Sequence, residues 1–222
     1  MDVIADQAVS GNWSTPAAWI ALAATAVSCA ALVLLHVVSP EFQPSWRMVS
    51  EYANGRAPWL LTVVFLAWAV GSFALLVAVW PLSATVLGKA ALAFLILAGI
   101  GQAMGGAFDI NHKLHGLAAM IGIPSLCIAA VLVTLAMGGR SDIAAPPIWS
   151  AHLPWISFAL MIAAMMMFFG ALKAAGVVMS PDSAPLTVLP EGVTSYLGWA
   201  NRLLFAASYL WVVLTSLAVI KA

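Results

Sequence analysis

Six apolar stretches, each long enough to cross a lipid bilayer, dominate this chain of 222 residues. A membrane-spanning helix needs about 20 mostly apolar residues, and such stretches occupy approximately residues 16–38, 59–81, 84–105, 115–138, 149–173 and 198–220. Apolar residues make up 64% of the chain and charged residues only 7%, a composition typical of membrane proteins. The pattern predicts an all-α polytopic membrane protein, with one domain over residues 1–222 built as a bundle of six transmembrane helices.

Charge, the number of crossings and the cysteine positions limit the partners and the arrangement of this membrane protein. Eight basic and eight acidic residues balance, and no basic run is present to attract phosphates, so nucleic acid is not an expected partner. An even number of crossings predicts that both termini lie on the same side of the membrane. Cys29 and Cys127 fall at similar depth in the first and fourth helices, so depth permits a disulfide, but free buried thiols are the commoner arrangement.

The scarce polar side chains gather on the side of the three long loops, at about residues 39–58, 106–114 and 174–197. Long loops hold polar residues in any membrane protein, but several of these lie at helix ends instead of mid-loop. The pattern therefore predicts a polar mouth above an apolar bundle. The residues concerned are His36, Glu41, Arg47, Ser50, Glu51, Tyr52, Asn54, Arg56, Asp109, Asn111, His112, Lys113, His115, Glu191, Asn201 and Arg202.

Two of these clusters lead into helices. The run from Ser50 to Arg56 contains the turn signal Asn54-Gly55, and Glu51 is placed to form a charge-assisted pair with Arg56 or to cap the following helix. Arg202 opens the sixth helix, where it either extends toward the headgroups or turns inward to Glu51, Asp109 or an anionic group. The candidate ligand-binding residues are Ser50, Tyr52, Asn54, Arg56, Asn201 and Arg202.

A third cluster carries residue types that bind metals. If the stretch between the third and fourth helices is helical, Asp109, His112 and His115 lie on one face, with His36 at a similar depth. A carboxylate with imidazoles suits zinc, and Glu51 is then the candidate general base for a metal-bound water. The spacing is not a specific metal motif, and an interfacial loop is the alternative. Paired imidazoles also permit a haem.

The same motifs resemble DUF998, a family of bacterial integral membrane proteins. The resemblance rests on Ser50-Glu51-Tyr52-Ala53-Asn54-Gly55, on Phe108-Asp109 followed by His115-Gly116, and on Gly198, Arg202 and Trp211. It runs over about residues 20–220 and implies a six- or seven-helix protein of the bacterial inner membrane, with no activity attached. A further histidine that often follows the His-Gly pair is Ala119 here, which counts against a metal site in this loop.

Three functions fit these observations. The protein binds a membrane lipid or other amphiphile, or serves another membrane protein as an accessory subunit. In that case Met161, Met165, Met166 and Met167 of the fifth helix would line an adaptable apolar space, although packing against lipid also explains them. Alternatively, it is a metal-dependent hydrolase of a lipid amide or ester, by analogy with membrane hydrolases such as the alkaline ceramidases, whose motif spacing this chain does not share. A haem-binding electron-transfer protein is the third hypothesis.

Overall fold

The computed structural model describes residues 2–141, 143–177 and 186–222, with side chains from Trp13 onward within those ranges. These residues form six α-helices and two short 3-10 helices, without any strand. The α-helices are α1 (Asp2–Val38), α2 (Pro58–Ala78), α3 (Val86–Ala107), α4 (His115–Gly138), α5 (Ile148–Ala174) and α6 (Leu197–Ile220), and the 3-10 helices are Val49–Asn54 and Trp80–Ala84. Each α-helix contains a stretch long and apolar enough to cross a membrane, which confirms the predicted fold class.

Local sequence signals explain where the helices begin. Pro58 occupies the first turn of α2, where its missing N–H costs no helical hydrogen bond. The Thr85 hydroxyl caps α3 by accepting a hydrogen bond from the Gly88 amide at 3.0 Å, which starts this helix two residues after the predicted boundary. The chain is already helical from Asp2, although the apolar span of α1 begins at Trp13.

The six helices close into a ring. Each helix packs against the next one in sequence, and α6 also packs against α1, α2 and α4. Of the six spans, α6 is therefore the most buried and α5 the least. The two cysteines are free thiols in this ring: Cys29 is exposed on its outer surface and Cys127 is buried, so the disulfide that depth alone permits does not form.

A pair of glycines brings α3 and α4 into direct backbone contact. A Cβ added to Gly101 would lie 2.3 Å from the Gly122 Cα, and one added to Gly122 would lie 3.2 Å from the Gly101 Cα. Small residues commonly permit such close approach of membrane helices. Gly105, one turn further along α3, lies against the Phe65 ring of α2.

Tryptophan rings mark the ends of the spans. An amphipathic indole favours the boundary between hydrocarbon and headgroups, and the rings concerned are all exposed on the outside of the bundle: Trp13, Trp19, Trp59, Trp80, Trp149 and Trp199. Their positions agree with a bundle embedded in a bilayer. The placement of both termini on one side, and the assignment of residues 1–222 to one domain, stay predictions.

Candidate functional site

The three long loops meet at one end of the ring, which we call the mouth. The Gly198 amide donates to the Ser45 carbonyl at 3.0 Å, and the Asn111 side-chain amide donates to Asn54 Oδ1 at 2.9 Å. The third loop joins through Leu186, whose carbonyl accepts from the Arg47 guanidinium at 2.5 Å. Its residues 178–185 lie outside the described residues.

Arg202 is the centre of the mouth and turns inward from the second turn of α6. Its Nε donates to His36 Nε2 at 2.6 Å, and its Nη2 donates to the Tyr52 hydroxyl at 3.2 Å. Its Nη1 donates to three carbonyl oxygens, those of Pro44 (3.3 Å), Arg47 (2.7 Å) and Gly198 (3.0 Å). Of the two sequence-based alternatives the inward one is therefore correct, but Arg202 meets neutral groups instead of Glu51 or Asp109.

The hydrogen bonds of Arg202 fix the tautomer of His36 and affect the pKa of the Tyr52 hydroxyl. Because Nε2 of His36 accepts from Arg202, the ring proton resides on Nδ1, which donates to the Leu32 carbonyl at 2.6 Å. Tyr52 is fully buried against the Phe42 and His36 rings. Burial raises the pKa of the Tyr52 hydroxyl, and the hydrogen bond from Arg202 opposes that shift only in part.

The ion pairs at the mouth differ from the predicted one. Glu51 pairs with Arg47, four residues earlier, and its Oε1 accepts from the Met48 amide at 2.8 Å. Arg56 instead lies 3.8 Å from Glu41, with 73% of its side chain exposed. The predicted pairing of Glu51 with Arg56 is therefore wrong, because the 3-10 helix brings Arg47 alongside Glu51 and leaves Arg56 in solvent. The alternative, a cap on α2, is not observed either, because α2 begins after Ala57 without a side-chain cap; Glu51 instead caps the 3-10 helix through the Met48 amide.

The loop between α3 and α4 is not helical, so its side chains do not share one helical face. Residues 109–114 form turns, and α4 begins only at His115. Asp109 is exposed and accepts from the Asn111 amide at 2.9 Å. The His112 ring stacks on Phe108 with centroids 4.6 Å apart, while Nδ1 of His115 lies 2.9 Å from the Phe108 carbonyl oxygen. The loop thus holds the two imidazoles by separate contacts.

No group of three histidine, cysteine or acidic side chains in the described residues is arranged to hold a metal ion. His36, proposed as an additional ligand, uses both ring nitrogens in hydrogen bonds to Leu32 and Arg202. Metal binding by Asp109, His112, His115 and His36, with zinc or haem as the cofactor and Glu51 as the base, stays a prediction.

A cavity of about 290 Å³ lies beneath the mouth, inside the ring. Its walls come from α2 to α6 and are mostly apolar, and its polar lining residues are Ser50, Gln102, His115 and Asn201. At 1.5 Å per residue, Trp68 of α2 lies about 15 Å along its helix from the first residue at the mouth. Ser50, His115 and Asn201 belong to the mouth, so most polar lining residues lie at the upper end of the cavity, and Gln102 is the polar residue beside Trp68 further in.

Two of the polar lining residues are held by the protein itself. The Gln102 side-chain amide and the Ser72 hydroxyl form a hydrogen bond of 2.7 Å. When the amide nitrogen faces Ser72, it also donates to the Trp68 carbonyl, and the amide oxygen accepts from the Trp68 indole. Asn201 Oδ1 accepts from the Val49 amide at 2.8 Å, and its Nδ2 lies 3.4 Å from the Met161 sulfur. These contacts connect the mouth to α5 and shape the cavity.

Sequence reasoning identified the mouth but not the walls of the cavity. Ser50, His115 and Asn201 were candidates from their position at helix ends, and all three line the cavity. Phe65, Trp68 and Gln102 were not, because a single apolar helix does not reveal which of its faces surrounds a void. The solitary amide of Gln102, one residue after Gly101 in an otherwise apolar span, is the signal that points to this interior position.

Comparison with known proteins identifies one family. A family model described as protein of unknown function (DUF998) matches residues 20–218, nearly the full length of the chain. Neither the curated proteins nor the solved structures contain a significant match to this chain.

Proposed function

The chain belongs to the DUF998 family of membrane proteins, and we propose that it binds an amphiphile, with the apolar tail in the cavity and the polar head at the mouth. The cavity is the observation that carries this proposal. Ligand pockets are typically concave, largely apolar and lined by a few polar groups, with volumes from about 300 Å³ upward. A cavity of about 290 Å³ with polar residues only at defined points meets that description.

The size and position of the cavity favour a single alkyl chain. A cavity of about 290 Å³ is at the lower end of the range for ligand pockets, which suits one slender chain. Met161 and Met165 line it from α5, and their unbranched thioether side chains adapt to a flexible tail. The lipid bilayer is then the source of the ligand, and membrane lipid is the partner.

Photolabelling in lipid nanodiscs tests this proposal. Two alkyl diazirine probes, a fatty alcohol and a fatty acid, are irradiated with the protein, and the labelled peptides are mapped by mass spectrometry. We expect at least one probe to label cavity residues, Met161 and Met165 among them. The Ala119→Phe variant puts a ring into the cavity wall, and we expect it to lose most of that labelling.

Met120→Phe is the matched control. Met120 is the neighbouring residue of α4, but 76% of it is exposed on the outside of the bundle, so the same ring there leaves the cavity open. Retained labelling in this variant, together with loss in Ala119→Phe, supports the proposal. If neither probe labels the cavity, or if Ala119→Phe labels as the wild type does, amphiphile binding at this site is wrong.

The remaining hypotheses lack a comparable observation. A metal-dependent hydrolase needs converging ligands, and the described residues present no such group. Service as an accessory subunit of another membrane protein is suggested by the polar rim above an apolar bundle, and location in the bacterial inner membrane follows from the family resemblance; both stay predictions.

A further inference from the structure

The polar residues of the cavity differ in whether their hydrogen-bonding capacity is already used. Gln102 is satisfied by Ser72 and Trp68, and the Asn201 oxygen is taken by the Val49 amide. The Ser50 hydroxyl, in contrast, has no hydrogen-bond partner among the residues that the structure describes, although it lines the cavity. It is free to donate to and accept from a ligand.

His115 supplies a second uncommitted group, and its identity follows from the tautomer. The only protein contact of the ring nitrogens within the described chain is that between Nδ1 and the Phe108 carbonyl at 2.9 Å. A carbonyl oxygen can only accept, so Nδ1 carries the proton. In the neutral imidazole, Nε2 then carries a lone pair and accepts a hydrogen bond. Since His115 also lines the cavity, Nε2 is the acceptor that this residue can offer to a ligand.

Among the described residues, no permanently charged side chain lines the cavity to pair with an ionised head group. Its lining residues in the described chain include no Asp, Glu, Lys or Arg. Two arginines of the mouth are already used by the protein: Arg202 by five acceptors, and Arg47 by Glu51 and the Leu186 carbonyl. A carboxylate or phosphate that left water for this cavity would lose hydration without gaining a charged partner.

From this donor and acceptor set we infer that the cavity selects an uncharged amphiphile whose head group carries a hydroxyl, such as a long-chain alcohol or a monoacylglycerol. The inference rests on the proposed function and specifies its ligand class. A hydroxyl both donates and accepts, so it can donate to His115 Nε2 while it accepts from Ser50. An ether of the same chain length accepts only, and it leaves the imidazole unpaired.

A competition series in nanodiscs tests the head group separately from binding itself. The diazirine fatty alcohol labels the cavity, and decanol, decyl methyl ether and decanoate compete with it, each expressed as its mole fraction in the bilayer to correct for partitioning. One hydrogen bond is worth about 0.5–1.5 kcal/mol net, or about two- to tenfold in affinity. We therefore expect decanol to compete at a concentration two- to tenfold below those of the ether and the carboxylate.

Single substitutions locate the preference. His115→Phe is expected to reduce the difference between decanol and its methyl ether, because only the hydroxyl donates to the imidazole. Ser50→Ala is expected to weaken competition by decanol and by the ether alike, because both oxygens accept from the serine hydroxyl. His112→Phe is the matched control, because His112 lies in the same loop but outside the cavity lining, and it should keep the full preference. Ser50→Ala removes one oxygen atom, so the loss of the hydrogen bond that both ligands share can be measured even if His115→Phe proves unstable, and the decanol preference is then read from the wild type.

The possible outcomes separate the two proposals. If the ether or decanoate competes as well as decanol in the wild type, the head-group inference is wrong while amphiphile binding stands. A preference for decanol over the ether that is unchanged in His115→Phe, or competition by both that is unchanged in Ser50→Ala, also overturns it. If no competitor displaces the probe and Ala119→Phe labels normally, the cavity is not a binding site and both proposals fail.

Discussion

The hydrogen bonds of Arg202 predict a large difference between two arginine-to-lysine substitutions at the mouth. Three nitrogens of Arg202 serve five acceptors. A lysine ammonium keeps the charge but has only three N–H donors and no planar fork, so at least two acceptors lose their donor. Hydrogen bonds within membrane bundles average about 0.6 kcal/mol, and those to charged groups reach about 1.5 kcal/mol or more. We expect Arg202→Lys to lower the free energy of unfolding by about 1–3 kcal/mol.

The control is Arg56→Lys, at a side chain that is 73% exposed and 3.8 Å from Glu41; there the cost should stay within about 0.5 kcal/mol. Unfolding is followed by tryptophan fluorescence during titration of mixed micelles with a denaturing detergent. Tyr52→Phe, which deletes one acceptor of the network, should cost less in the Arg202→Lys background than in the wild type. Equal unfolding free energies for the two lysine variants would refute the assignment of Arg202 as the group that joins α1, α6 and the first loop.

Two further predictions concern packing and metal content. Gly198→Ala should destabilise the protein by about 1–3 kcal/mol, because its Cβ would lie 2.3 Å from the Pro44 carbonyl oxygen. Gly170→Ala in α5 is the control and should be neutral or stabilising, because a Cβ there has nothing within 4 Å. Equal effects of the two substitutions in thermal unfolding would contradict the contact at Gly198. Elemental analysis and an absorption spectrum of purified protein test the metal hypotheses. We expect less than about a tenth of a zinc ion per chain and no Soret band, since the described residues contain no group of three side chains arranged as metal ligands. A stoichiometric metal ion or a haem band would support the metal-binding role predicted for His115.

The sequence was sufficient for the fold because bilayer physics acts on each span separately. An apolar run of about 20 residues must satisfy its backbone internally, so α4 could be placed at His115–Gly138 without knowledge of its neighbours. The contacts of the mouth depend on chain geometry that no local pattern encodes. Whether Glu51 meets Arg47 or Arg56 is decided by a six-residue 3-10 helix, and whether Arg202 meets a carboxylate or a histidine is decided by how α6 docks on α1.

The cavity required information from five helices at once. Met161 and Met165 were assigned either to an adaptable space or to packing against lipid, and both in fact line the cavity, while Met166 and Met167 are exposed on the outside. When a helix is apolar on all sides, its sequence does not show which of several consecutive methionines face the interior of the bundle. Ala119 also gains a meaning from the structure, since its small side chain leaves open a part of the wall that a histidine would occupy.

The contact between Gly101 and Gly122 also limits how the cavity can diversify. Both glycines belong to its lining, and neither can acquire a side chain unless two backbones separate. The position of this part of the cavity wall is thus set by the main chain, and substitutions at these two glycines cannot adjust it without moving a helix. Evolution, or an engineer who wishes to admit a branched or bulkier tail, must change lining residues that carry side chains, such as Met161 and Met165 of α5.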